Sequence, residues 1–319
     1  MKAAVYERIG GPEVLHLVER PDPVVAPSEV LIRVKSISIE GGELLMRRML
    51  DPGPDPAIPG YSAAGEVVAV GSAVSGFAPG DKVATFASGG SYAELRATPA
   101  ETCWRVPEGA DILAASAVPT AFGTAGLALR LASVTPGETV LVQGAAGGVG
   151  LAAVQMAARA GARVIGTSTS ADSLEMLKDF GLDDGIVVGN GPTDEQVRAL
   201  LGGRGADVLI DNVGGDGLQT GLQSLEDGGR AVIVALAGQG SPLIDSRYIL
   251  PHRLSVFGCF LTPVLGEPVV QQIIGQALKD FAEGKLRLPI DKVFPLSEAA
   301  AAHSHAEQRG RFGRVFMVP

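Results

Sequence analysis

The sequence predicts an α/β chain of two lobes, one β-rich and one built on a doubly wound parallel sheet. Three observations carry this. The 319 residues exceed one average domain. The first third reads as short strands between glycine and proline turns, whereas from Pro119 onward apolar strands alternate with helical segments. A glycine-rich turn then stands between an apolar strand and a helix of small residues.

In the first lobe, Val30 to Ile37 (VLIRVKSI), Gly65 to Val70 (GEVVAV) and Lys82 to Phe86 read as strands of β-branched and alternating residues. Turns at Val70-Gly71-Ser72 and Ala78-Pro79-Gly80-Asp81 separate them. Asp51 to Pro56 (DPGPDP) is a loop, since proline withholds the N–H that a ladder needs. In the second lobe, Thr139 to Val142 is a strand, Gly148 to Ala160 a helix, Arg163 to Thr167 a strand and Ala171 to Phe180 a helix. Asp207 to Ile210, Ala231 to Ala235 and Leu254 to Phe260 continue the strands. A helix over Pro268 to Glu283 follows, and the tail reads as strand, helix, strand.

The segment TVLVQGAAGGVGLAAVQMA (Thr139 to Ala157) orders strand, turn and helix as a dinucleotide requires. A turn without side chains admits a pyrophosphate to the backbone, and a helix N-terminus supplies free N–H groups and a positive dipole end. Gly144, Gly147 and Gly150 are spaced G-x-x-G-x-x-G. Ala146, Gly147, Gly148 and Val149 are therefore candidate phosphate contacts. The next strand ends in Thr167-Ser168-Thr169-Ser170, with no acid to hold ribose hydroxyls. Hydroxyls donate to a 2′-phosphate without repelling it, which favours NADP(H) over NAD(H) and marks Ser168. The same residues also suit an ordinary turn and helix cap. Ligands bind outside the carboxyl ends of parallel strands, so Asn212, Val213, Leu236, Ala237, Phe260 and Leu261 are further candidates, each also compatible with a plain loop.

Composition narrows the function classes. A net charge of -9 offers no basic stripe for nucleic acid. Cys103 and Cys259 are too few for a disulfide framework or a zinc finger, and read as buried thiols of a reducing compartment. No apolar stretch reaches the roughly 20 residues of a bilayer span, and MKAAVYERIG does not read as a signal peptide. A soluble, cytoplasmic protein is expected, without membrane or nucleic-acid partners.

Several short motifs occur together. They are MKAAVY with Gly10-Gly11-Pro12-Glu13-Val14-Leu15, Pro59-Gly60-Tyr61 through Ala64-Gly65-Glu66-Val67, Gly80-Asp81-Lys82-Val83, Ser91-Tyr92-Ala93-Glu94, Thr135-Pro136-Gly137-Glu138, GAAGGVG, and Phe294-Pro295-Leu296 with Ala299-Ala300. In this order they resemble the zinc-independent quinone oxidoreductases of the medium-chain dehydrogenase/reductase superfamily over essentially the whole chain. The resemblance implies a GroES-like catalytic domain from residues 1–121 and 264–319, a Rossmann domain from 122–263, a catalytic cleft at their junction, and a homodimer formed through the last Rossmann strand. It also places Asn190 in the coenzyme site; Thr124, read as the start of the first Rossmann helix, either holds the nicotinamide carboxamide or is a helix residue with a satisfied hydroxyl. In zinc-dependent relatives a cysteine and a His-Glu pair stand where this chain has Glu40 and Tyr61-Ser62, so no metal is expected. His303-x-His305 diverge on a helix and read as surface histidines. Three departures stand out: Glu40 and Ser173 replace the family's usual asparagine and lysine, and no tyrosine stands near Asn190.

By these equivalences Tyr61 and Glu40 are the candidate catalytic residues. Tyr61 either donates a hydrogen bond to a substrate carbonyl or packs beneath its loop. Glu40 is either a buried acid or a solvated carboxylate. The expected reaction is metal-free hydride transfer from NADPH to a small quinone or enone substrate. The alternatives are an enoyl-thioester reductase, or a non-catalytic NADPH-binding sensor or RNA-binding protein.

Overall fold

The computed structural model describes residues 1–235, 238 and 244–319. Leu236 and Ala237 lie outside the described residues. The chain divides into two compact units. One comprises Met1–Gly123, Thr262–Gln308 and Gly313–Pro319; the other comprises Thr124–Leu261 and Arg309–Phe312.

The first unit is the GroES-like one. Its large sheet runs, in spatial order, Ile290–Pro295, Arg314–Val318, Glu29–Ser38, Ser62–Val70, Lys82–Phe86 and Cys103–Arg105, with Leu95–Pro99 also paired to Glu29–Ser38. The long strand Glu29–Ser38 is the hub. Its alternation buries Val30, Ile32 and Val34 and turns Arg33 and Lys35 outward, the period of two that a half-buried strand requires. Two register shifts against Ser62–Val70 mark bulges that curve the sheet. The last strand, Arg314–Val318, closes onto the hub antiparallel (Phe316 opposite Ser38, Met317 opposite Ile37), so the two ends of the chain share one core. Asp51 to Pro56 is irregular, as its prolines require. Two elements escape the hydrophobic pattern: the hairpin Lys2–Val5 with His16–Glu19, and the helix Gly41–Met49.

The second unit is a parallel sheet ordered Asp184–Val187, Arg163–Ser168, Thr139–Gln143, Ala206–Asp211, Leu225–Ile233, Ser255–Gly258. The reversal of strand order beside Thr139–Gln143 is the switch point where doubly wound sheets bind ligands. The helix Gly148–Arg159 buries Leu151, Ala152, Val154 and Ala157, and its small residues let it lie close on the sheet. The helix expected over Ala171 to Phe180 ends at Leu177 and tightens into a 3-10 turn, Lys178–Phe180. The strand expected from Ala231 begins instead at Leu225, because its pairing with Ala206–Asp211 carries a register shift that admits Asp227-Gly228-Gly229.

Candidate functional site

In the second unit, Gly147 caps the helix Gly148–Arg159 without any side-chain hydrogen bond. The N–H groups of the first turn are thus left to a ligand or water. Gly144 turns the chain with a left-handed φ of 66°, and its carbonyl accepts from Gly147 N at 3.0 Å. Gly150 is obligatory here: a Cβ would stand 2.2 Å from Gly144 O and 2.8 Å from Ala145 Cα. The helix start therefore presses directly on the turn, with Ala146, Gly148 and Val149 half-buried and Gly147 exposed.

Neighbouring strand ends close on this turn. Asn212 Nδ2 donates to Gln143 O at 3.0 Å, which leaves Asn212 Oδ1 buried without a partner among the described residues. The Val213 side chain would lie 3.0 Å from a Cβ at Gly144. Asp211 is buried and accepts from the N–H groups of Val213 and Gly214; burial pushes its carboxyl up while these bonds oppose the shift. Ser168 Oγ accepts from Ser170 N at 3.1 Å, and Ser170 caps the helix Ala171–Leu177 through Ser173 N. The hydroxyl cluster thus includes the turn and cap arrangement anticipated for it. Asn190 lies exposed just beyond Asp184–Val187, whose Val187 pairs with Ser168. Phe260 is 71% exposed and Leu261 buried, both beyond Ser255–Gly258. Thr124 is buried inside the helix Val118–Leu131, not at its start, and its carbonyl faces Cys259 Sγ at 3.8 Å.

The cradle fits a dinucleotide. Its turn excludes side chains, its helix start is uncapped, and the orphaned Asn212 Oδ1 sits at the same strand ends.

In the first unit, two carboxylates stand at the start of the helix Gly41–Met49 in different surroundings, Glu40 at the N-cap and Glu43 on the first turn. Glu40 is buried, not solvated. Its carboxylate pairs with Arg314 Nη2 and accepts from Ser38 Oγ at 2.9 Å. Glu43 is also buried, and Oε1 accepts from Tyr61 N at 2.7 Å while Oε2 accepts from Tyr92 Oη at 2.6 Å. Burial, then the charge of Glu40, pushes the Glu43 carboxyl up to about 8. Tyr92 Oη meets His303 Nε2 at 2.6 Å, His303 Nδ1 meets Arg47 Nη1 at 2.5 Å, and Arg47 Nη2 meets Glu307 at 2.5 Å.

The expectation of surface histidines fails at His303, which is fully buried; its helix Ala299–Ala306 is apolar on several sides and hides the polar position. His305 is half-buried and faces Asp291 at 2.9 Å, so the two imidazoles do diverge.

Tyr61 is half-buried, with its ring 5.8 Å from Phe86. It lies so close to the helix that a Cβ at Gly42 would stand 2.8 Å from its Cε2. Its phenol is pushed up to about 12 by burial, then by Glu43 and Glu40. Like an ordinary phenol, it is an O–H donor across physiological pH. Glu43, Tyr92 and His303 were missed as site residues by sequence reasoning. Two signals were available: Glu43 lies three residues beyond Glu40, and Tyr92 stands in the motif Ser91-Tyr92-Ala93-Glu94.

Among the described residues, no three His, Cys, Asp or Glu side chains converge as a metal group.

A GroES-like sheet together with a doubly wound sheet carrying a dinucleotide cradle defines a two-domain dehydrogenase or reductase. Residues 26–108 match the alcohol dehydrogenase GroES-like domain and residues 148–277 the zinc-binding dehydrogenase family. The chain is 31% identical to quinone oxidoreductase-like protein 2 of Bos taurus, over 99% of this chain and 92% of that protein. It is 32% identical to the quinone oxidoreductase of Pseudomonas aeruginosa, over 100% and 99%. The structure of Escherichia coli quinone oxidoreductase complexed with NADPH superposes with a TM-score of 0.89 at 26% identity, covering 100% of both chains. The chain belongs to the quinone oxidoreductase family of the medium-chain dehydrogenase/reductase superfamily and is an oxidoreductase.

Proposed function

We propose that this oxidoreductase transfers a hydride from NADPH to a quinone or α,β-unsaturated carbonyl, with Tyr61 as the hydrogen-bond donor to the substrate oxygen. The observation that carries the reading is the placement of Tyr61, a half-buried phenol donor held between Gly42 of the helix Gly41–Met49 and the ring of Phe86. Charge developing on a carbonyl oxygen is then met by an O–H rather than by a Lewis acid. Glu40 is an ion-paired acceptor, and its part is to hold Arg314 and Ser38 in place beside the first turn of the helix.

NADPH, when bound, supplies the hydride at its nicotinamide. Gly147, Gly148 and Val149, with Ala146 beside them, would hold the pyrophosphate through backbone N–H groups. Ser168, with Asn190 past the neighbouring strand end, would receive the 2′-phosphate. Asn212 and Val213 would border the nicotinamide side, as would Phe260, Leu261 and Thr124. The unpartnered Asn212 Oδ1 supports this placement most directly.

The test mixes chelator-treated protein with NADPH or NADH and either 1,4-benzoquinone or an α,β-unsaturated ketone, and follows loss of the reduced nicotinamide. Faster oxidation of NADPH supports the proposal, and the better acceptor chooses the substrate class. Binding of NADPH without oxidation by either acceptor refutes it.

A further inference from the structure

The line of hydrogen bonds that ends on Tyr61 has a direction. Arg47 can only donate, so its contact at 2.5 Å makes His303 Nδ1 an acceptor. The imidazole is neutral, its pKa pushed down to about 3 by burial and by Arg47. Its one ring proton therefore sits on Nε2 and is donated to Tyr92 Oη at 2.6 Å. Tyr92 in turn donates to Glu43 Oε2 at 2.6 Å, and Tyr61 N–H donates to Oε1 at 2.7 Å. Glu307 anchors the far end, accepting from Arg47 at 2.5 Å and Arg48 at 2.7 Å. Glu43, Arg47, Tyr92 and His303 are each at most 2% exposed, so the line runs through the interior.

Resting on the reading of Tyr61 as donor, we infer that Glu43, Tyr92 and His303 are positioning residues, which hold the main chain at Tyr61 and thereby aim its phenol. The polarity set by Arg47 requires a side chain at position 43 that accepts on both of its arms. The groups facing Glu43 are Glu40 at the N-cap of its helix, Tyr61 and Tyr92 from the loops, and Arg96 from the strand Leu95–Pro99, with His303 and Arg47 behind Tyr92. Protonation leaves both carboxyl oxygens able to accept, so it removes the charge without dismantling the line. Because Glu43 titrates near 8, its charge returns at alkaline pH, where it opposes negative charge on a substrate oxygen bonded to Tyr61.

Glu43→Gln keeps the shape but offers one acceptor and one donor, so it satisfies Tyr61 or Tyr92, not both. Tyr92→Phe keeps the ring and removes the hydroxyl. Two readouts apply to each full-length variant. Amide hydrogen exchange at Tyr61 reports the grip without catalysis, and kcat and KM for NADPH oxidation by 1,4-benzoquinone are followed from neutral to alkaline pH. At least one variant should exchange the Tyr61 amide about tenfold faster, the effect of losing one net hydrogen bond. Both should lower kcat about tenfold or more, with KM for NADPH within about twofold. In the unaltered protein kcat should fall as pH rises through about 8, and Glu43→Gln should flatten that fall. Unchanged Tyr61 exchange in both variants, uniform acceleration across the whole unit, or an unchanged kcat each overturns the inference. If the unaltered protein oxidises no NADPH, the reductase reading is what fails; the catalytic role of these residues falls with it, and exchange alone then decides whether Glu43 grips Tyr61.

Discussion

Burial raises the pKa of both Tyr61 and Glu43, but only at Glu43 does it change the state at neutral pH, toward the protonated form. For Glu43 this has a thermodynamic consequence. Its folded pKa of about 8 lies above the ordinary 4.5, so the favourable contribution of its neutral form is complete below about 4.5 and is lost as pH climbs through about 8. Glutamine does not titrate. The melting temperature of Glu43→Gln relative to the unaltered protein should therefore rise with pH across that window, as scanning calorimetry at matched ionic strength would record. A constant difference would mean that Glu43 does not titrate there. Tyr61 and Glu40 stand out in the sequence because both occupy motif positions of the family. Glu43 was not, since a glutamate after two glycines looks like a solvated helix start. His303 was misread because an alanine-rich helix leaves no polar stripe by which to tell a buried histidine from an exposed one.

Among elements, the glycine turn with its helix was the most legible, because strand, turn and helix each carry an independent signal there. The structure adds the reason for the third glycine: the turn's own carbonyl occupies the space of its side chain. Gly150→Ala must lift the helix from the turn. It should cost about 1–3 kcal/mol of stability and weaken NADPH binding more than tenfold, measured by denaturant titration and by nicotinamide fluorescence. The helix Gly41–Met49 was illegible for the opposite reason. Two glycines open it and its start has no side-chain cap, which outweighs the dipole signals of Glu43 on its first turn and the basic pair Arg47-Arg48 near its end. The short strand Asp184–Val187 (DGIV) was missed because an aspartate and a glycine dilute its β pattern, which an edge position tolerates.

For the molecule as a whole, the change of texture near Pro119 was visible in the residues. The return of the chain's end to the first sheet was implied by the family resemblance alone, because no local pattern tells Arg314–Val318 which strand to join. Phe316 and Met317 are fully buried there, and Arg314 on the same strand pairs with Glu40. Met317→Ala should therefore destabilise the protein by about 2–5 kcal/mol, and a change under about 0.5 kcal/mol would mean that the closing strand adds little. Ser255–Gly258 is an edge strand of the parallel sheet, and it is at this strand that the family resemblance places a homodimer interface. Charged substitution at Phe257 should shift sedimentation toward the monomer.

The most direct measurement is single-turnover oxidation of bound NADPH by 1,4-benzoquinone in the unaltered protein and in Tyr61→Phe, with NADPH affinity measured alongside. Loss of a donor to the developing oxyanion should slow the hydride step about a hundredfold and leave coenzyme affinity unchanged. Equal rates in the two proteins would contradict the role of Tyr61, and no oxidation in either, with NADPH bound, would contradict the reductase itself.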